Sequence, residues 1–359
     1  MKIMAYSIEQ FPTPEQLENT TVYKKLVSAH RCLAELKGVC RSIPNQAILI
    51  NTLILQEAKD SSEIENIITT HDELFREAVF PEYAGKAAAK EVQNYAVALH
   101  RGYTLLREGK ILSNRHILAI QQELERNRSG FRKLPGTELR NDKTGQTVYM
   151  PPQHPDDIVR LMGQLERYIN EPDDETDPLI RMAVIHHRFE SIHPFYDGNG
   201  RTGRIINVLY LVLSGLLDIP VLYLSRYLVQ NKSEYYRLLQ HVRDTGQWQD
   251  WVLYMLTAVE QTAQQSISVV GSIREAMQSY KHHIREKFSF YSQDLINHLF
   301  CHPYTKIDFV TEALGISRPT AAKYLDELTA AGLLHKEKLG KSNYYINVAL
   351  YGILSSKAA

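Results

Sequence analysis

Through most of this chain apolar residues recur three and four positions apart, the spacing that places them on one face of an α-helix. From Val22 to Leu36 the stripe is continuous. Pro44 restarts it, and a second helix runs through Ile48 to Leu55. Ala58-Lys59-Asp60 interrupts that stripe. Ser61-Ser62-Glu63 then reads as a fresh start, a capping hydroxyl followed by early acids, opening a short helix over about residues 61–70. Lys86 to Glu108 is long, alanine-rich and periodic. Leu112-Ser113-Asn114 leads into a helix that ends near Arg128-Ser129-Gly130. Asp156 to Tyr168 follows, then an acidic loop from Glu171 to Asp177. Asp177-Pro178 caps and opens the next helix, which carries Leu179, Ile180, Met182, Ala183, Ile185, His186 and Phe189 toward His193.

Two stretches break the helical period. Between Phe131 and Pro152, Pro135-Gly136, Asp142 and Thr144-Gly145 separate short β-formers that end in Thr147-Val148-Tyr149-Met150, the composition of a hairpin. Beyond Ser266 to Lys287, which reads as a connecting helix, the pattern changes near Phe288. Helices are expected over Ser292 to Leu299, Lys306 to Leu314 and Arg318 to Ala330. Two β-like segments then flank Leu339-Gly340-Lys341. Three helices and a hairpin make a winged helix-turn-helix. The expected division is therefore an N-terminal helical region over 1–85, a mainly α core over 86–265, a linker helix over 266–287 and a small winged-helix domain over 288–359.

Bulk properties narrow the class without choosing a function. With 359 residues the chain has room for two or three domains. Lysine plus arginine equals aspartate plus glutamate at 41 each, so no global field points to nucleic acid or to an acidic partner. Cys32, Cys40 and Cys301 make no metal or disulfide spacing, which fits a reducing, cytoplasmic setting. Met1 to Tyr6 leads into polar sequence, so no secretory leader is expected. The most apolar run, Ile205 to Leu217, is too short to span a bilayer, and no membrane association is expected.

Chemistry concentrates in His193-Pro194-Phe195-Tyr196-Asp197-Gly198-Asn199-Gly200-Arg201-Thr202-Gly203-Arg204, followed at once by an apolar helix. A Gly-Asn-Gly turn opening a helix turns backbone N–H groups inward as an anion cradle, at the positive end of the helix dipole. Arg201 and Arg204 stand three apart, so a helix puts them on one face, within reach of one polyphosphate. His193 titrates near neutrality and can take a proton from an attacking hydroxyl. Asp197 suits Mg²⁺ that bridges phosphates, or an N-cap of the helix. Asn199 suits a phosphate contact or a left-handed turn. Phe195 is expected to pack beneath the loop.

This run resembles the signature of the Fic family, H-x-F-x-(D/E)-G-N-G-R-x-x-R, and meets every position. The resemblance implies an all-helical core with a β-hairpin flap. It also implies transfer of AMP from ATP to a Ser, Thr or Tyr hydroxyl of a target protein, or of the protein itself, with release of pyrophosphate. It assigns His193 as the base and Asp197 as the Mg²⁺ ligand. The backbone of Gly198, Asn199 and Gly200 would form the anion hole, Arg201 and Arg204 would bind the β- and γ-phosphates, and Thr202 and Gly203 count with them among the nucleotide-binding residues. Thr147, Val148, Tyr149 and Met150 would form the flap that pairs edge-on with an extended target segment. Tyr235 and Tyr236, in Asn231-Lys232-Ser233-Glu234-Tyr235-Tyr236, match the stretch near adenine and ribose; a buried aromatic pair is the other reading.

Ser61-Ser62-Glu63-Ile64-Glu65-Asn66 matches the family's inhibitory pattern, (S/T)-x-x-x-E-(G/N). Glu65 would pair with Arg204 as a bidentate fork and so misplace the phosphates of ATP. In some members the same glutamate supports removal of AMP by positioning water. A reading from another class is a nucleotide-sensing transcriptional regulator. In it Arg318, Thr320 and Lys323 face a DNA groove, and Lys336, Lys338 and Lys341 touch phosphate. Against it, residues 288–359 hold seven lysines and arginines and six acidic residues, nearly neutral for a DNA reader. Protein docking and dimerisation suit the same domain. Trp248 and Trp251 are expected as core or interface anchors; in the second case they, with the helix over 266–287, would offer apolar surface to a homodimer.

Overall fold

The computed structural model describes residues 7–79, 87–140, 144–171, 175–339 and 342–356. The 85/86 boundary, Asp142, part of the acidic loop after Glu171, and the Gly340-Lys341 turn lie outside these residues.

The N-terminal region is α1 (Pro14–Leu17), α2 (Thr20–Cys40), α3 (Gln46–Ile64) and α4 (His71–Val79). α2 starts where the Asn19 side chain accepts from the amides of Thr21 and Val22, satisfying two orphan donors. The expected break at residues 58–60 is absent: α3 is one helix, and Ser61 and Ser62 lie inside it, fully buried. Ala58 is a strong helix former, and Lys59 pairs with Glu63 one turn on, so nothing there stops the helix. The stop comes at Asn66, with φ 62°. Asn66 N–H donates to Glu63 O and Ile67 N–H to Ser62 O, both at 3.0 Å. That is a Schellman end with asparagine in the left-handed position. The short helix expected over 61–70 is thus the terminus of a longer one, with Glu65 at its C-cap.

The core follows as α5 (Ala87–Gly109), α6 (Asn114–Glu125), β1 (Leu139–Arg140), β2 (Thr147–Tyr149), α7 (Pro155–Asn170), α8 (Pro178–Ile192) and α9 (Asn199–Leu213). α10 (Ser225–Gln230), α11 (Lys232–Thr245) and α12 (Gln249–Lys287) complete it. α6 stops at Glu125, sooner than expected, because Arg126 turns left-handed. Asp177 accepts from the Leu179 amide and starts α8 as expected. α8 and α9 form the centre and are buried nearly all round. Helices apolar on every side belong inside a protein. β1 and β2 pair antiparallel, Leu139 with Tyr149, as the expected short hairpin.

α12 runs unbroken for 39 residues, so its second half is not a separate linker. It packs along α2, tied by Asn19 to Gln249 and by Lys25 to Glu260. Trp248 and Trp251 are buried and Trp251 donates to Ala183 O, so they anchor the core and present no dimer surface.

The C-terminal unit has α13 (Gln293–Cys301), β3 (Tyr304–Thr305), α14 (Ile307–Leu314), α15 (Arg318–Ala330), β4 (Leu334–Leu339), β5 (Ser342–Asn347) and α16 (Val348–Ser355). The three helices and the hairpin fall where the sequence puts them. β3 and α16 were not foreseen; β3 adds to the hairpin in the order β3-β5-β4. This unit rests on α3 and α4. Gln56 donates to Leu354 O, the Tyr304 hydroxyl to Asp72, and Phe75 packs edge-on against Tyr304 and Tyr351. Among the described residues no helix is long and apolar enough to cross a membrane, and the three cysteines are free.

Candidate active site

The site lies where α8 ends and α9 begins. His193 is the C-cap of α8, in a left-handed conformation (φ 50°) that turns the chain sharply into the loop. The loop is pinned from within. Asn199 accepts from the Phe195 amide and donates to the Phe195 carbonyl, each at 2.9 Å. Its oxygen and one of its two N–H donors are committed to Phe195, so its side chain shapes the turn. Phe195 is fully buried between Phe131 and Phe189, as expected. Arg132, which sequence reasoning missed, fastens the loop to the flap. Its amide donates to Pro194 O, its Nε to His193 O, and Nη2 to Pro152 O. The Tyr196 hydroxyl accepts from the amides of Lys133 and Leu134.

The N-cap of α9 is Gly198 at φ 77°, not Asp197, and no side chain caps the helix. The first intrahelical bond runs from the Thr202 amide to Gly198 O. The amides of Asn199, Gly200 and Arg201 therefore precede the ladder, at the positive end of the dipole. Free amides at a helix N-terminus are the backbone arrangement that can receive an anion. Thr202 and Gly203 turn the other way: Thr202 is fully buried, and a Cβ on Gly203 would stand 3.0 Å from both Glu190 and Phe189. They pack the core behind the cradle and do not line it. An alanine at Gly198 would be held left-handed, at about 1–2 kcal/mol, and its Cβ would meet the Glu125 carboxyl carbon at 3.0 Å. Gly198→Ala is expected to lower the unfolding free energy from urea titration by at least that amount; an unchanged value would show that the turn is not held this way.

Both arginines are buried and paired. Arg204 Nη2 meets Glu65 Oε1 at 2.9 Å, confirming proximity across 139 positions of sequence. The expected bidentate fork is not formed. Nε donates instead to Ser61 Oγ at 2.7 Å, and Nη2 also reaches Ser61 O at 3.0 Å. Ser61 and Glu65 share a face of α3 one turn apart, and Ser61 O is one of the unpaired carbonyls at that helix end. Burial pushes the Glu65 carboxyl up, but the charge and hydrogen bond of Arg204, with Arg201 and Lys232, outweigh it and hold the carboxyl below its usual range. Arg201 is shared by Glu125 at 2.9 Å, Glu91 at 3.3 Å and, more distantly, Asp197 at 3.9 Å. Glu125, Glu91 and Glu190 carry no sequence motif, and only the packing brings them here. Glu190 is buried beside Arg204, and burial raises its carboxyl to about 7.

His193 sits among cations. Burial first, then Arg243 and Arg132, lower its imidazole to about 4, against the smaller opposing effect of the Glu190 backbone carbonyl. It is therefore neutral near pH 7, the state a base needs. Arg243 also lies over the Tyr149 ring at 4.1 Å and donates to Ser191 Oγ and Glu190 O, linking the flap to α8. Val148 and Met150 of the flap are exposed. Tyr235 is buried, its hydroxyl 2.7 Å from His186 Nε2, so it takes the core reading and does not line a ligand site; Tyr236 is half exposed.

The Asp197 side chain is 77 % exposed and accepts from the Gly198 amide at 2.6 Å. Among the described residues no three His, Cys, Asp or Glu side chains converge as a metal cage. One solvent-facing carboxylate beside a phosphate cradle is nonetheless what Mg²⁺ uses when substrate oxygens supply its other ligands.

A profile of the Fic/DOC family matches residues 111–211, and one of the Fic/DOC family N-terminal region matches 23–104. A third, for the C-terminal domain of SoFic-like protein adenylyltransferases, matches 276–350. Protein adenylyltransferase fic-1 of Caenorhabditis elegans is 30% identical over 165 residues, 45% of this chain and 31% of that protein. Protein adenylyltransferase Fic of Drosophila melanogaster is 30% identical over 130 residues, 36% of this chain and 25% of that one. The chain thus spans about a third or less of the length of these curated relatives. Among solved structures, a Fic family protein from Desulfovibrio desulfuricans superposes with a TM-score of 0.59 at 20% identity, covering 94% of this chain and 98% of that one. Fic-1 from Caenorhabditis elegans superposes at 0.52, with 20% identity over 70% of this chain and 73% of that one. At such identities the superpositions speak to the fold.

Proposed function

The chain belongs to the Fic/DOC family, and we propose that it transfers AMP from ATP to a protein hydroxyl and is held back by its own Glu65. The observation that carries this reading is the meeting, at one helix mouth, of a neutral imidazole, an uncapped amide cradle and Arg204 held by Glu65.

The reaction follows from the groups in place. The target hydroxyl gives its proton to the His193 imidazole as its oxygen bonds to the α-phosphorus. The bond from that phosphorus to the bridging oxygen breaks, and pyrophosphate leaves. The amides of Asn199, Gly200 and Arg201 receive phosphate charge without reorganising, the main source of rate in such sites. Arg204, once released, takes the outer phosphate. Asp197 would hold Mg²⁺, whose charge neutralises the phosphates when bound. Val148 and Met150, exposed on the flap, suit docking of an extended target segment. The target is a proposal of class alone, a Ser, Thr or Tyr side chain of another protein or of this one.

The test is incubation with ATP labelled on its α-phosphate and Mg²⁺, alone and with cell lysate, for wild type, Glu65→Gly and Glu65→Gly/His193→Ala. Label that appears with the first substitution and vanishes with the second supports transfer, brake and base together. No label in any of the three sinks the reading. The pH profile is a further check. Because the folded imidazole lies near 4, below its ordinary value, it stays an unprotonated base down to about pH 5. The acid limb of kcat/KM, which reports the free enzyme, is expected below pH 5. A midpoint near 6.5 would contradict a buried, cation-flanked base.

The DNA-sensing alternative gains nothing from the C-terminal unit. Arg318 and Lys323, placed toward a groove, pair with Asp308 and Glu327, and Lys336, placed toward phosphate, donates to Asp326, so three of the basic residues this reading uses already face carboxylates.

A further inference from the structure

Glu65 has a counterpart. A Cβ built on Gly200 would collide with Glu65 Oε1, and one built on Gly198 would collide with Glu125 Oε1. Two carboxylates from different helix ends, the cap of α3 and the last residue of α6, thus rest on the two glycines of the cradle. Each pairs at 2.9 Å with one of the two arginines, Glu65 with Arg204 and Glu125 with Arg201. Arg201 is 4 % exposed and the Glu125 side chain 13 %, so this pair is screened little by solvent.

We propose that Glu125 is a second brake, withholding Arg201 and covering the Gly198 side of the cradle as Glu65 withholds Arg204 and covers the Gly200 side. The proposal rests on the reading of this loop as a polyphosphate site. A carboxylate that merely oriented Arg201 would hold it from outside the cradle. Glu125 instead has its Oε1 against the Gly198 α-carbon, one residue from the first free amide, so its charge opposes that of a phosphate seated there. Glu91, at 3.3 Å and far more exposed, is left to steady Arg201 once Glu125 yields. Glutamine at position 125 keeps the shape and removes the charge. Aspartate keeps the charge and draws it back by one methylene from both Gly198 and Arg201.

The experiment is calorimetric titration of ATP with Mg²⁺ into wild type, Glu125→Gln, Glu125→Asp, Glu65→Gly and Glu65→Gly/Glu125→Gln, each checked by its melting temperature. Glu125→Gln is expected to tighten ATP on the order of tenfold, within the usual range of coupling between charged sites. Glu125→Asp should tighten it less, and the double variant more than either single one. Weaker or unchanged affinity in both Glu125 variants, with melting temperatures near wild type, overturns the proposal and makes Glu125 a support of Arg201. If glutamine prevents folding, the aspartate variant decides alone. Affinity is read without chemistry: tighter ATP with no AMP transfer in any variant would leave the second brake standing and remove the transferase reading. No ATP binding in any variant would remove both.

Discussion

Replacing Glu65 with glycine is expected to raise AMP transfer by on the order of 10²-fold, the scale on which a misplaced reacting phosphate slows attack. The expectation comes from how Arg204 is held. Its guanidinium is buried and bonded to Ser61 Oγ, Ser61 O and Glu65 Oε1. Only the last carries a charge opposite to the guanidinium, so it adds Coulomb attraction that the hydroxyl and the carbonyl lack. Without it, Arg204 keeps two neutral partners, which still orient it, and regains its capacity for a phosphate oxygen. The carboxylate also leaves the space over Gly200. The substitution should not unfold the helix end, because the Schellman bonds run through Asn66 and Ile67 backbone to Glu63 and Ser62 and need no glutamate side chain. Initial rates of label transfer, with the far-ultraviolet circular dichroism of both proteins, decide it. An unchanged rate in a well-folded variant would show that Arg204 is not the limiting contact.

Removing the His193 imidazole in the Glu65→Gly background is expected to lower transfer by about 10²–10⁴-fold, the usual worth of a positioned base. Two variants are needed because of the backbone. His193 is left-handed at φ 50°, where alanine is strained by about 1–2 kcal/mol and asparagine is better tolerated. His193→Ala therefore loses the base and some stability, whereas His193→Asn loses chiefly the base. Equal loss of rate in both, with ATP affinity unchanged, is the expected result, since the cradle is backbone and lies beyond the histidine. Transfer that survives in the asparagine variant would move the base to another group.

Much of this protein was legible in the sequence because its signals are local. The helical periods of α2 and α5 survive into the structure since each buries the face its spacing defines, while α8 and α9 are buried nearly all round. The Asp177-Pro178 start and the Gly198 turn follow from dihedral preferences that neighbours do not change. The loop motif gave the cradle and both arginines, and the pattern ending in Glu65-Asn66 gave the carboxylate that meets one of them. What misled was also local. Ser61 and Ser62 look like a cap when read alone, but inside α3 one of them serves Arg204 instead. Tyr235 looks like a ligand contact and is buried against His186.

The sequence by itself determined the helices, the hairpin and the chemistry of residues 193–204, because backbone preference and short spacing act within a few residues. Only the tertiary structure decided that Ser61 and Glu65 share one arginine, that Glu125 and Glu91 share the other, and that burial, then Arg243 and Arg132, depress the proton affinity of His193. Those pairings join positions tens to more than a hundred residues apart. Their strength depends on exclusion of water, a property of the packed core that no stretch of sequence carries alone.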